Sequence, residues 1–174
     1  MLNIVIERGK VWNIEDLPNK SIAIDGAVMG PFIDNHNKKY SFDHHGNCIR
    51  HISSATCVQV LDALLLGFNP DGYNLYINDV DHDTVIAAAL LLNPELAKNI
   101  QAQEITRIVG LVDAHGPSYP LENSKQKLFD IFNHCVMDSF NESKRNKSYS
   151  EYNLEELLFD CINKFKLMLE GKYN

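Results

Sequence analysis

The chain has 174 residues, 45% of them apolar, and a formal net charge of −7 at pH 7. That is enough for one folded domain with a real core, and the acidic balance excludes a surface that coats nucleic acid, which needs a basic stripe. The opening Met1-Leu2-Asn3-Ile4-Val5-Ile6-Glu7 lacks the basic start and long apolar run of a signal peptide, no apolar run is long enough to span a membrane, and Cys48, Cys57, Cys135 and Cys161 form no Cys-x-x-Cys pair, so a cytoplasmic protein with reduced thiols is expected.

Leu2 to Ile6 predicts a first strand, stopped by Arg8-Gly9-Lys10. Lys20 to Ile24 predicts a second, ending at the turn signal Asp25-Gly26. A carboxylate just past a strand end is where open α/β sheets present ligand groups; it is equally what a tight turn selects. Residues 26–39, with Gly30-Pro31 and Asp34-Asn35-His36-Asn37, read as loop, His36 in a turn. Tyr40 to Phe42 predicts the third strand, running into Asp43-His44-His45-Gly46, and Gly46 to His51 reads as a turn.

Apolar residues at Cys57, Val60, Leu61, Leu64 and Leu65 recur at a helical period, with Gly67 as a stop. Ser53 or Ser54 suits the N-cap, and a helix start beside the two histidines is also a ready anion site; the readings are compatible. Asn69-Pro70-Asp71-Gly72 is a turn, and Tyr73 to Ile77 a fourth strand. Asn78 to Thr84 carries Asp79, Asp81, His82 and Asp83 into Val85 to Leu92, a buried helix broken at Pro94. Gln101 to Val112 is helical and delivers Asp113 and His115. Lys125 to Phe140 predicts an amphipathic helix, Asn141 to Ser150 an exposed loop, and Leu154 to Leu169 a last helix. The order predicts an α/β fold: a mostly parallel sheet flanked by helices, one domain with its sheet core over residues 1–123 and a helical cover over 124–174.

Asp25, the run Asp43-His44-His45, the run Asp79 to Asp83 and the pair Asp113/His115 each lie beside a predicted element end. Solubilising charge mixes Glu, Lys and Arg on helix faces, and these clusters contain none of them. Asp packed against Asp is repulsive unless a cation sits between. Carboxylate with imidazole suits Mn²⁺, Zn²⁺ or Fe²⁺, and oxygen-rich surroundings tilt the choice toward Mn²⁺. Two divalent ions about 3.5–4 Å apart would neutralise such a set and supply hydroxide for in-line attack on phosphorus.

Phe42-Asp43-His44-His45-Gly46, followed by the Ser53 to Leu66 stretch that opens Ser-Ser-Ala-Thr, resembles the signature of the DHH phosphoesterases. That superfamily includes exonucleases, phosphoadenosine phosphatases, cyclic-dinucleotide phosphodiesterases and manganese-dependent pyrophosphatases. Asp25 resembles the family's lone strand-end Asp, and Asp79 to Leu90 is similar to its Asp-x-Asp motif with a small-residue helix. Here that motif follows Asp-His-His, so the match implies a permuted order. The histidine that precedes it in many members has Ile77 and Asn78 in its place, and the family's second, substrate-binding domain is not expected. The likeness covers about residues 20–115.

The resemblance implies two Mn²⁺ ions on a parallel sheet. His44 would ligate metal, Asp43 ligate or orient, Asp25 bridge the ions, and Asp81, Asp83 and Asp113 complete the shells. His45 would face the substrate phosphate and carry catalysis. His82 or His115 would be a general acid or a supporting group, Ser53, Ser54 and His115 would bind substrate, and Asp79 would cap a loop. The expected partner is a small phosphate-containing substrate or a short oligonucleotide, not a membrane, with a homodimer open. Two alternatives stand beside this. His82-Asp83 matches the dipeptide of the HD-type metal phosphohydrolases, whose fold is all-helical, and a non-catalytic binding module would keep the sheet without turnover.

Overall fold

The computed structural model describes residues 2–46, 52–144 and 153–173. The strands are β1 (Asn3–Ile6), β2 (Ser21–Ile24), β3 (Phe32–Asp34), β4 (Lys39–Phe42) and β5 (Asn74–Ile77). They form one five-stranded sheet in the order β1-β5-β2-β4-β3, parallel except where β3 meets β4. The helices are α1 (Thr56–Leu65), α2 (His82–Leu92), α3 (Ile100–His115), α4 (Asn123–Lys144) and α5 (Leu154–Leu169). The α/β class and mostly parallel sheet expected from the sequence are present, flanked by helices and ending in a helical segment.

Alternation along the strands splits the sheet's two faces. Ile22, Ile24, Leu75 and Ile77 pack into the main core with the helices, whereas Ala23 and Tyr76 belong to a small cluster with Leu17, Ala27 and Val28. Trp12 closes that thin side, edge-on to Tyr76 with centroids 5.3 Å apart. On the thick side α2 is buried on all faces, and its run Ala87-Ala88-Ala89 lets α1 and α5 approach. Phe132 of α4 meets Phe165 of α5 edge-to-face at 5.3 Å, both fully buried. Truncating either to Ala would cost about 3–5 kcal/mol.

Parallel register brings three strand ends to one edge. Ala23 lies level with Ser41 of β4 and Tyr76 of β5, so Asp25, Asp43 and the segment after Ile77 emerge together. From β4 the chain crosses through α1 to β5 on the other side of β2. Such a reversal opens a crevice at the carboxyl ends of the strands.

Local expectations are corrected in three places. Residues 26–39 are not all loop: Phe32–Asp34 forms the antiparallel edge strand β3. The turn between β3 and β4 is held by Asp34 Oδ1, which accepts from the His36 and Asn37 N–H groups at 2.9 and 3.0 Å. Helix α4 continues through Lys144, past the expected loop start at Asn141; the remainder of that loop, residues 145–150, lies outside the described residues. The N-cap of α1 is Ala55, with no capping side chain, rather than Ser53 or Ser54. Residues 47–51, Cys48 among them, also lie outside the described residues.

Candidate metal centre

Asp25 follows β2 in a left-handed conformation, φ 49°, which Asp tolerates better than most residues. Thr84 Oγ1 donates to Asp25 Oδ2 at 2.9 Å, while Thr56 Oγ1, 3.1 Å from the Phe42 carbonyl, stands 3.4 Å from Oδ1. Each threonine lies in the first turn of a helix, α1 for Thr56 and α2 for Thr84. Burial, then the charges of Asp81 and Asp83, push the Asp25 carboxyl up to about 9, with Thr84 opposing.

Asp43, one strand over, is served differently. Its Oδ1 accepts from Gly26 N–H at 2.9 Å, and its Oδ2 from Gly30 N–H at 2.6 Å. His45 Nδ1 lies 2.7 Å from Oδ1. Burial pushes this carboxyl up, but the hydrogen bonds from His45 and Gly30 outweigh it and hold the group below the usual range. An ionised carboxylate only accepts, so the proton of His45 stays on Nδ1 and the ring is fixed. Gln59 Nε2 donates to the Asp43 carbonyl at 2.9 Å. Asp43 thus orients the loop and His45.

His44 is the centre of the cluster and is buried. Its Nε2 is 3.0 Å from Asp113 Oδ2, 3.8 Å from Asp83 Oδ2 and 3.9 Å from Asp25 Oδ1. The Asp113 approach is short but not aligned as a hydrogen bond, and neither ring nitrogen of His44 has a hydrogen-bond partner among the described residues. Two ligand groupings emerge: Asp25, His44 and His45, and His44, Asp83 and Asp113.

Asp83 explains the missing cap of α1. Its Oδ2 accepts from Thr56 N–H at 2.8 Å and its Oδ1 from Cys57 N–H at 2.6 Å. The second residue of α2 therefore caps α1 across the fold, satisfying donors that a helix start leaves unpaired. Burial pushes its carboxyl up to about 6 against the Cys57 hydrogen bonds, with Asp81 and Asp113 adding repulsion. Asp113 reaches His44 from the last turn of α3, and Gly110 sets how close that helix comes. A Cβ at Gly110 would lie 2.5 Å from Val58 Cγ2 and 3.5 Å from Ala55 Cβ.

The remaining expected residues differ in place. Asp81 is the N-cap of α2, accepting from Thr84 N–H at 2.8 Å; it lines a cleft beside Asp83 and Asp113, and its charge acts on Asp25 and Asp83. Asp79 accepts from Val80 N–H at 2.8 Å. His82 Nε2 is 2.9 Å from Asn133 Oδ1, and its ring stacks on Phe129 at 6.2 Å. His82 therefore belongs to the wall of the same cleft, of about 470 Å³. Ser53, Ser54 and His115 share a different groove with Arg107; His115 stacks on Tyr119 at 4.9 Å.

Sequence reading missed Thr56, Thr84, Gly30 and Asn78, whose Nδ2 donates to the Gly26 carbonyl at 2.9 Å. The threonines carried a signal, a hydroxyl in the first turn of each helix that follows a strand end; Asn133 and Phe129 carried none beyond helical periodicity. No helix of the described residues is long and apolar enough to cross a membrane. Comparison with family models, with curated proteins and with solved structures finds no match for the chain.

Proposed function

We propose that the chain is a metal-dependent phosphoesterase of the DHH kind, hydrolysing a phosphodiester or phosphoanhydride bond in a nucleotide-like or small phosphate substrate. One observation carries the reading: three carboxylates converge within 3.0–3.9 Å of one ring nitrogen of the buried His44. Without a cation, that arrangement sets like charges together in a poorly solvated place. With one, they become a ligand shell, and an oxygen-rich set with one imidazole suits Mn²⁺. His44 has one Nε2 lone pair and serves one ion; Asp25, held by Thr84, is the carboxylate that reaches toward a second. His45 Nδ1 is engaged by Asp43 at 2.7 Å, so His45 is better assigned to substrate than to metal.

Bound divalent ions would supply a hydroxide near neutral pH and offset phosphate charge. The chain's own residues do the rest. Asp43 keeps the His45 proton on Nδ1, which leaves Nε2 as the atom that takes or gives a proton at the phosphate. A positioned proton donor is worth about 10²–10⁴ in rate. Asp83 holds the start of α1 and stands beside His44, and the Thr84 hydroxyl fixes Asp25. The five-stranded sheet argues against the all-helical HD-type alternative.

The test is Mn²⁺-dependent hydrolysis of bis-p-nitrophenyl phosphate, pyrophosphate and a dinucleotide, beside metal content by mass spectrometry. Two ions per chain and turnover of one of these substrates are expected. His45→Ala should keep the Mn²⁺-induced rise in melting temperature and lose turnover about 100-fold or more; Asp25→Ala should lose both. Mn²⁺ binding with no turnover on any substrate would favour the non-catalytic binding module, and no Mn²⁺ effect would remove the metal site.

A further inference from the structure

We infer that the cleft between α2, α3 and α4 is a nucleobase subsite of the same centre, with Phe129 and Asn133 as its specificity-determining residues. The inference deepens the phosphoesterase reading and rests on it for the phosphate end alone. The cleft is continuous with the acidic cluster, because Asp83 and Asp113 line it together with Phe129 and Asn133. Its volume, about 470 Å³, lies within the ordinary range of small-ligand sites.

The lining is of two kinds. Asp83 and Asp113, the carboxylates that approach His44, and Asp81 are acidic. Val109, Val112, Pro117 and the half-buried Phe129 are apolar. Pyrophosphate or a bare phosphate has no surface to place against them. A planar ring does, and the His82–Phe129 pair already stacks with an interplanar angle of 26°, a platform that a further ring extends. Asn133 gives the platform a directional group. Its Oδ1 is 2.9 Å from His82 Nε2, which leaves the amide NH₂ to donate to a ring nitrogen or carbonyl. A phosphate held at the carboxylates and a flat, hydrogen-bonding ring against the apolar lining describe a nucleoside phosphate. On this view α4, the helix expected only to cover the sheet, selects the substrate.

The probes are adenosine, adenosine 5′-monophosphate and inorganic phosphate, tested on the full chain and on Phe129→Leu and Asn133→Ala. Adenosine is followed by saturation-transfer NMR in chelator, where no ion is needed. Adenosine 5′-monophosphate and phosphate are followed by calorimetry with Mn²⁺. Saturation of the adenine protons is expected for the wild type and should be lost or strongly reduced in both variants. Base–aromatic stacking is worth about 1–3 kcal/mol, so Phe129→Leu should weaken adenosine 5′-monophosphate about tenfold and leave phosphate binding and Mn²⁺ stabilisation unchanged. Asn133→Ala removes the donor offered to the ring together with the partner of His82 Nε2, leaves the Phe129 face in place, and keeps the test decisive if Phe129→Leu fails to fold. No transfer to adenosine from the wild type, or full transfer in both folded variants, would overturn the subsite. If Mn²⁺ neither binds nor stabilises the wild type, the phosphoesterase reading falls, while the adenosine arm still decides the subsite.

Discussion

Asp25 and Asp43 end neighbouring parallel strands, both with buried side chains, yet the fold treats them in opposite ways. Asp43 receives two backbone N–H groups and the His45 ring, and its carboxyl is held low. Asp25 receives the Thr84 hydroxyl and faces the charges of Asp81 and Asp83, and its carboxyl is pushed up to about 9. One aspartate is satisfied by the protein; the other is left in need of positive charge. On the proposed reading, the contrast separates an aspartate that builds a site from one that would bind in it.

The largest test of that contrast is the ion itself. In chelator the Asp25 side of the edge is strained by repulsion, so Mn²⁺ at about a thousand times its dissociation constant should add about 4 kcal/mol. For a chain of this length that is a rise of roughly 8–16 °C in melting temperature. His44→Ala should remove the rise, and a full rise in that variant would break the comparison at its centre.

Next in size is Asp43→Asn. The amide can serve only part of what the carboxylate accepts, and its NH₂ must face a donor. A loss of about 3 kcal/mol is expected in urea unfolding, with or without metal. A loss below about 0.5 kcal/mol, inside the range of ordinary surface substitutions, would show that Asp43 is not the builder described here.

Asp25→Asn should do the reverse. It keeps an acceptor for Thr84 and removes a carboxyl that, raised to about 9, must hold at pH 8 a proton the unfolded chain releases, so in chelator it should stabilise by at least about 1 kcal/mol while losing the Mn²⁺ response. Destabilisation would mean that the aspartate is met by the protein after all.

The smallest effect is the pH dependence of that gain. Folded-state carboxyls near 9 for Asp25 and near 6 for Asp83 hold protons that the unfolded chain has already released. In chelator, wild-type stability should therefore fall as pH rises from 5 to 8. The cost of holding the Asp25 proton grows as the pH rises above the unfolded value of 3.8, so the advantage of Asp25→Asn should be smallest at pH 5 and widen toward pH 8. Melting curves of the two proteins at pH 5, 6, 7 and 8 check this; a gap that stays constant counts against a raised Asp25.

Much of the frame was legible because local pattern and tertiary role agree. The strands announced themselves as short β-rich runs ended by Asp25, Asp43 and Asn78, and the helices by apolar period. Strand β3 was not legible: Phe32-Ile33-Asp34 is short, follows Gly30-Pro31 and runs into a polar turn, and it is a strand only because β4 offers an edge. The cap of α1 was illegible for a related reason. Ser53 and Ser54 are good local candidates, but Asp83, 27 residues away, does the work. The site residues could be gathered from sequence as acids and histidines near element ends. Their division of labour could not, because apart from His45, two residues on from Asp43, the groups that set the two aspartates apart come from other segments.

The capping of α1 by Asp83 also couples assembly of the site to the dynamics of the backbone. The Thr56 and Cys57 amides bond to a side chain on another helix, next to His44, and not to their own segment. In a hydrogen-exchange experiment these two amides should not fray with the first turn of α1. Their protection should follow the docking of α2 and rise when His44 and its carboxylates are drawn together, so two backbone protons report whether the centre is assembled without any substrate being turned over.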